Sequence, residues 1–265
     1  MKYKRMKLGA IIVTATLSLC VAGCGGSKVL KEPEPFTATK VLADAADQRL
    51  AAALDWVIVR DGPGTWAKNV DWDEYLMRVQ NLSDEPIRVT KIVVFDSLGT
   101  RIELGGNRRQ LVEGSKETTR RYKDEGLKVK AGVGAEAVII AGGVLFTAGA
   151  YVGISALAGS TSALAASSAA AAAVILGPVL IVGGVVGGAV RSMNNSEVNK
   201  HIESRQTLLP AVLPESQEQI LDLFFPLAPS PRQIELTYVD SNGEHTLAID
   251  THSALDGLHL VQIDK

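Results

Sequence analysis

Only two cysteines occur in the chain, Cys20 and Cys24, with none beyond residue 24. No disulfide can brace a domain built from the rest of the sequence, so core packing alone has to hold it. Catalytic signatures are missing too. There is no GxSxG nucleophile elbow, no HExxH pair and no GxxxxGK[ST] phosphate loop. Gly132-Val133-Gly134-Ala135-Glu136-Ala137 partly imitates a dinucleotide-binding turn. Such a site needs an acidic residue ~20 positions on to hold the ribose, and none occurs before Glu197. From Ala137 to Val190 charge itself is missing, over 54 consecutive residues bounded by Glu136 and Arg191.

What is present begins with an export signal. Lys2, Lys4, Arg5 and Lys7 form a cationic start, and Leu8 to Ala22 is an apolar run. At about fifteen residues the run has the length of a signal-peptide core and falls short of the ~20 needed to span a bilayer. It ends in Val21-Ala22-Gly23-Cys24, which resembles the bacterial lipobox. The resemblance implies a signal peptide over residues 1–23, cleavage before Cys24, and a diacylglyceryl group on the Cys24 thiol, with palmitate among the acyl chains. Several acyl chains anchor a protein firmly, whereas one binds only marginally. In lipoproteins of this kind an Asp after the cysteine retains the protein in the inner membrane. Gly25 therefore implies the outer membrane, facing the periplasm. Without the four signal-peptide cations, 23 basic residues face 29 acidic ones, a net of −6. That balance offers no electrostatic footprint for nucleic acid.

Residues 24–37 read as a lipidated tether, because Glu32-Pro33-Glu34-Pro35 is too polar and proline-rich to pack. The Ala- and Leu-rich stretch Leu42–Leu54 suggests a short helix. Trp56–Val59, Tyr75–Val79, Ile87–Phe95, Leu221–Phe225, the alternating Ile234, Leu236 and Tyr238, and Glu244–Asp250 read as strands. Asp240-Ser241-Asn242-Gly243 is a strong hairpin turn. Ser115–Glu125 reads as a charged helix with Ser115 as N-cap and Gly126 just past its end. Asn195–Gln206 is a second, amphipathic helix. Strands without alternating helices predict a mainly β fold, an immunoglobulin-like antiparallel β-sandwich. Its first part spans 38–134 and its second 191–265, interrupted at 135–190 by an Ala/Gly-rich helical hairpin.

The interruption is too long for one membrane crossing and fits two, near Ala135–Ala158 and Leu164–Val190, joined by Gly159-Ser160-Thr161-Ser162. An even number of crossings also keeps both parts of the sandwich in one compartment. Projected on a helix, Gly142, Gly149 and Gly153 fall in one narrow stripe, and Gly177, Gly184 and Gly188 in another. Stripes of small residues let helix backbones approach closely in lipid. Burial of the hairpin in protein, or in an oligomer, is the rival reading.

A lipobox followed by such a helix pair resembles the glycine-zipper lipoproteins of Gram-negative envelopes. Gly62-Pro63-Gly64-Thr65-Trp66 with Asp71-Trp72-Asp73-Glu74-Tyr75, and Phe224-Phe225-Pro226-Leu227 with Gly257-Leu258-His259-Leu260, resemble an uncharacterised proteobacterial lipoprotein family that brings no activity with it. His245, His252 and His259 recur every seven residues but read as surface histidines rather than metal ligands. Asp71, Asp73 and Glu74 read as a solvated turn rather than an acid/base pair. Trp56, Trp66, Trp72 and Tyr75 read as packing. The expectation is a non-catalytic envelope lipoprotein, without cofactor or metal, in a structural or protein-binding role. Its partners are membrane lipid, through acylated Cys24 and the hairpin, and a second copy or another envelope protein. An oligomeric membrane assembly or pore is the alternative, and a metal-binding or hydrolytic periplasmic module the minor one.

Overall fold

The computed structural model describes residues 27–31, 38–143 and 189–261. Cys24, Gly149, Gly153, Gly177, Gly184 and Gly188 lie outside the described residues. The first half of the chain holds β1 (Lys28–Val29), β2 (Ala43–Ala46), β3 (Leu50–Ile58), β4 (Ala67–Lys68), β5 (Trp72–Asn81), β6 (Ile87–Phe95), β7 (Arg101–Glu103) and α1 (Arg108–Asp124). Next come α2 (Ala135–Gly142), α3 (Ala189–Arg205), β8 (Ala211–Leu213), β9 (Glu218–Pro226), β10 (Gln233–Asp240), β11 (Gly243–Asp250) and α4 (His252–Leu255).

The fold is mainly β and its strand pairs are antiparallel. One sheet runs β2-β3-β5-β9 and the other β11-β10-β6-β7, with β8 also on β6. Leu50, Leu54, Tyr75, Met77, Leu223 and Phe225 of the first sheet share one buried core with Ile87, Ile92, Val94, Ile234, Leu236 and Ile249 of the second. The strand order departs from the immunoglobulin arrangement, in which the chain crosses to the opposite sheet after its second strand. Here β5 stays beside β3, and the crossing comes at β6.

Leu42–Leu54, expected as a helix, is extended instead. Ala43 to Ala46 pair with Leu54 to Ala51, and the Asp47 carboxylate closes the turn by accepting from Arg49 N–H and Leu50 N–H, both at 2.8 Å. Alanine's helix preference is a fraction of a kcal/mol per residue and yields to burial between two neighbouring strands. Ala51, Ala52 and Ala53 are fully buried.

The alternation of β6 breaks midway. Ile87 and Val89 face the core, but so do Ile92 and Val94. The pairing with β10 shifts between Tyr238↔Val89 and Thr237↔Lys91, leaving Thr90 as an extra residue. Such a bulge moves every later side chain to the other face. A uniform period of two across β6 therefore puts half the strand on the wrong side.

Helix α1 starts two turns before the expected Ser115. Asn107 is the N-cap, accepting from Gln110 N–H at 3.0 Å. Ser115 is buried mid-helix, where its hydroxyl lies 2.8 Å from Leu111 O and accepts from Leu227 N–H at 2.9 Å. The helix end comes as expected, with Gly126 at φ 74. Beneath α1 and α3 the outer face of the first sheet carries a second apolar cluster. Trp66, Trp72 and Phe224 from the strand side meet Leu111, Val198 and Ile202 from the helices.

Helix α2 covers one end of the shared core, with Val138 buried in it. It ends at Gly142, followed by Gly143 at φ 58; the rest of the expected Ala135–Ala158 lies outside the described residues. Gly142 is packed closely against the β domain. A Cβ there would run into the ring of Trp56, with Leu42 at 3.4 Å, and its carbonyl accepts from Thr39 and Lys40 N–H at 3.0 and 3.1 Å. Its small size serves the fit of α2 onto the β domain. Among the described residues no helix is long and apolar enough to cross a membrane. Gly142→Ala should therefore destabilise the β domain by about 1–3 kcal/mol, as overpacking does, read by denaturant unfolding followed on tryptophan fluorescence. An unchanged midpoint would show that Gly142 is not packed against Trp56.

Candidate functional site

The four sequence stretches singled out above converge at the end of the first sheet where β3 and β9 finish and β5 begins. Register pairs Trp72 with Pro226, Asp73 with Phe225 and Glu74 with Phe224. Because alternate residues of a strand point to opposite faces, Asp73 and Tyr75 turn into the shared core while Trp72 and Glu74 turn toward the helices. The run Asp71–Glu74 is therefore not a solvated turn. Asp73 and Glu74 are both buried, and Asp71 alone is half-exposed, paired to Arg60 at 3.2 Å.

On the core side Asp73 meets His259, which is completely buried. Gly132 N–H donates to His259 Nδ1 at 3.1 Å, so the ring proton sits on Nε2, which donates to Asp73 Oδ2 at 2.8 Å. Both ring nitrogens are thus engaged within the fold, and neither is left to take a substrate proton or a metal. The backbone of His259 is engaged as well. Its N–H donates to Val133 O at 2.6 Å and its carbonyl accepts from Lys130 N–H at 2.9 Å. The residue adopts φ +63, a left-handed conformation uncommon for a non-glycine, to make these contacts together. Burial pushes the Tyr75 hydroxyl well above its usual range, and the Asp73 carboxylate adds to the effect.

On the helix side Glu74 is clamped. Trp66 Nε1–H donates to Oε2 at 2.5 Å, and Arg205 donates through Nε to Oε1 at 3.0 Å and through Nη2 to the same oxygen. Arg205 also reaches Asp222 at 3.5 Å and lies 5.7 Å over the Trp66 ring. Burial first, and then the Glu74 charge, push the Asp222 carboxyl up to about 9, against the pull of Arg205. Burial alone would lower Arg205, but Glu74 and Asp222 hold it above its ordinary value.

The other histidines go elsewhere. His245 stacks on Tyr238 with centroids 5.1 Å apart and contacts Asp240 at 3.1 Å, while His252 is exposed at the start of α4. The seven-residue recurrence therefore brings none of the three together. Among the described residues there is no group of three or more His, Cys, Asp or Glu arranged to hold a metal. The Gly132–Gly134 pattern has a packing cause. Both glycines have positive φ, and a Cβ on Gly132 would strike Arg60 O. Extending the Tyr75–Val79 period back to Trp72 would have exposed the inward aim of Asp73. Arg205, 131 residues from Glu74, leaves no such trace.

The arrangement forms two opposed clasps, one on each face of β5. His259→Ala should cost about 3–5 kcal/mol by leaving a buried carboxylate without its donor. The double variant Asp73→Asn with His259→Ala should recover part of that, since no charge remains buried; additive losses in a denaturation cycle would refute the coupling. Asp222 gives a pH signature. Between 3.8 and about 9 the folded state holds a proton the unfolded chain has lost, so stability falls as pH rises through that window. Asp222→Asn should flatten this slope, measured by urea unfolding at successive pH values; an unchanged slope would remove Asp222 as its source. Set against family models, curated proteins and solved structures, the chain matches none of them.

Proposed function

We propose that the protein is a non-catalytic envelope lipoprotein, held on a membrane through acylated Cys24, whose β domain has a structural or protein-binding role. The observation that carries this reading is how soon after Cys24 the chain is fastened to the domain. Ser27 is buried, and its hydroxyl donates to Asn69 O at 3.3 Å. Lys28–Val29 pairs with Ala67–Lys68, and Leu30 N–H donates to Trp66 O at 2.8 Å. Within the segment read as a free tether, residues 27–31 are therefore docked. Three residues span at most roughly 10 Å, so acyl chains on Cys24 bring this end of the domain down to the bilayer surface.

The start of the uncharged run supports the same placement. β2 runs antiparallel to β3, so Thr39 and Lys40 lie alongside the far end of β3, where they hold the carbonyl of Gly142. The run from Ala137 thus departs from the end of the domain that Cys24 tethers. A hairpin leaving there enters the bilayer already beside it, without crossing open solvent.

In cells given labelled palmitate, the wild-type chain should incorporate label, lose residues 1–23 and float with membranes. Cys24→Ala should do none of these and accumulate as uncleaved precursor. A wild-type protein with an unmodified Cys24 thiol or an intact leader, read by mass spectrometry, overturns the proposal.

A further inference from the structure

Exposed lysines gather at one end of the strand axis of this domain, and exposed carboxylates outnumber cations at the other. At one end lie the β2–β3, β5–β6, β8–β9 and β10–β11 turns, brought together by contacts such as Leu82 N–H to Arg49 O and Ser216 N–H to Ser83 O. This end is acidic. Asp84, Glu215, Glu218 and Glu244 are exposed there beside exposed Arg88, and Glu85 and Asp240 share Arg49. At the opposite end, where residues 27–31 are docked, Lys28, Lys31, Lys40 and Lys68 are exposed. Lys128 and Lys130 join them, on the segment that Gly132 presses against Arg60 at the end of β3. Asp124 and Glu125, just before Lys128, and Asp61, Glu136 and Asp256 are exposed at this end too, and Asp71 is taken by Arg60, so the basic character is local to Lys28, Lys31, Lys40 and Lys68.

One pairing makes the basic end more than a solvated surface. In the β1–β4 ladder Lys28 stands directly opposite Lys68, and neither forms an ion pair among the described residues. Like charges directly opposed across an antiparallel ladder are destabilising. An anion between them turns that repulsion into a binding contribution. Lys28 lies four residues from the lipid site, a reach of at most about 14 Å, so the anions within range are lipid headgroups.

We propose that the Lys28–Lys68 ladder with Lys31 and the neighbouring lysines is a docking surface for anionic lipid headgroups, standing the domain with its basic end on the bilayer and its acidic end facing away. This rests on the acylation of Cys24 and goes beyond it, since an acyl anchor alone sets no orientation. Each lysine at an anionic surface favours contact by about fivefold, so a few are enough to fix the pose of a domain already held there.

The test uses full-length acylated protein in vesicles of phosphatidylcholine alone and in vesicles rich in phosphatidylglycerol, with amine acetylation read lysine by lysine by mass spectrometry. Lys28, Lys31 and Lys68 should label about fivefold more slowly on the anionic vesicles. Molar salt, which shortens the screening length to ~3 Å, should restore their rate. Lys91, on the outer face of the second sheet beside Glu103, should label equally on both. The Lys28→Gln/Lys68→Gln variant should melt higher in detergent, because the opposed charges are gone, and should lose the protection of Lys31. Equal labelling of the ladder on both vesicle types overturns the docking surface and leaves the anchor standing. Failure of the protein to float with phosphatidylcholine vesicles overturns both.

Discussion

Two consecutive carboxylates on a central strand constrain the rest of this molecule. Asp73 and Glu74 belong to β5, which has a neighbour on each side, and a strand sends adjacent side chains to opposite faces. Both faces are covered here, one by the second sheet and one by helices. A buried carboxylate without hydrogen-bond donors costs several kcal/mol, so each face must supply them. The core face draws on the end of the chain, with His259 arriving from the segment after α4. The helix face draws on Trp66 from the loop before β4 and on Arg205, the last residue of α3. Segments remote in sequence are fixed by the needs of two neighbouring residues.

Much of the sheet structure was legible in the sequence because its signals are local. The Asn242-Gly243 turn, the alternation of Ile234, Leu236 and Tyr238, and the β-branched run Ile87–Phe95 each carry their own evidence, and β10, β11 and β6 lie where they indicate. What escaped depends on tertiary context. The alanines of β3 read as helical until their burial between β2 and β5 is known. The bulge at Thr90 reverses the inward face of β6 and has no sequence mark. Ser115 has the chemistry of an N-cap, yet its hydroxyl is used on the buried face of α1 against Leu227. The site was legible in part, through the four stretches that meet around β5, while the pairing of Asp73 with His259 joins positions 186 residues apart.

Glycine tells a similar story at two scales. Gly132, Gly134 and Gly142 look from sequence like a cofactor turn and the start of a helix-packing stripe. In the fold they are the points where α2 and its approach come closest to the β domain, against Arg60, Gly257 and Trp56. Small residues permit close approach in water as in lipid, and sequence alone does not say which surface approaches.

The two clasps also decide where the uncharged run leaves the domain and where it returns. His259 holds Gly132 and Val133, immediately before α2. Arg205, held by Glu74, is the final residue of α3, the helix through which the chain comes back. Adjacent residues of β5 therefore anchor the outgoing and the returning arm, one from each face of the same sheet. Pulling either arm away would strip a buried carboxylate of its donor, a cost of about 3–5 kcal/mol, comparable with much of the stability of an ordinary domain. The β domain thus fixes the described residues on either side of the uncharged run, Gly132–Val133 through His259 and Arg205 through Glu74.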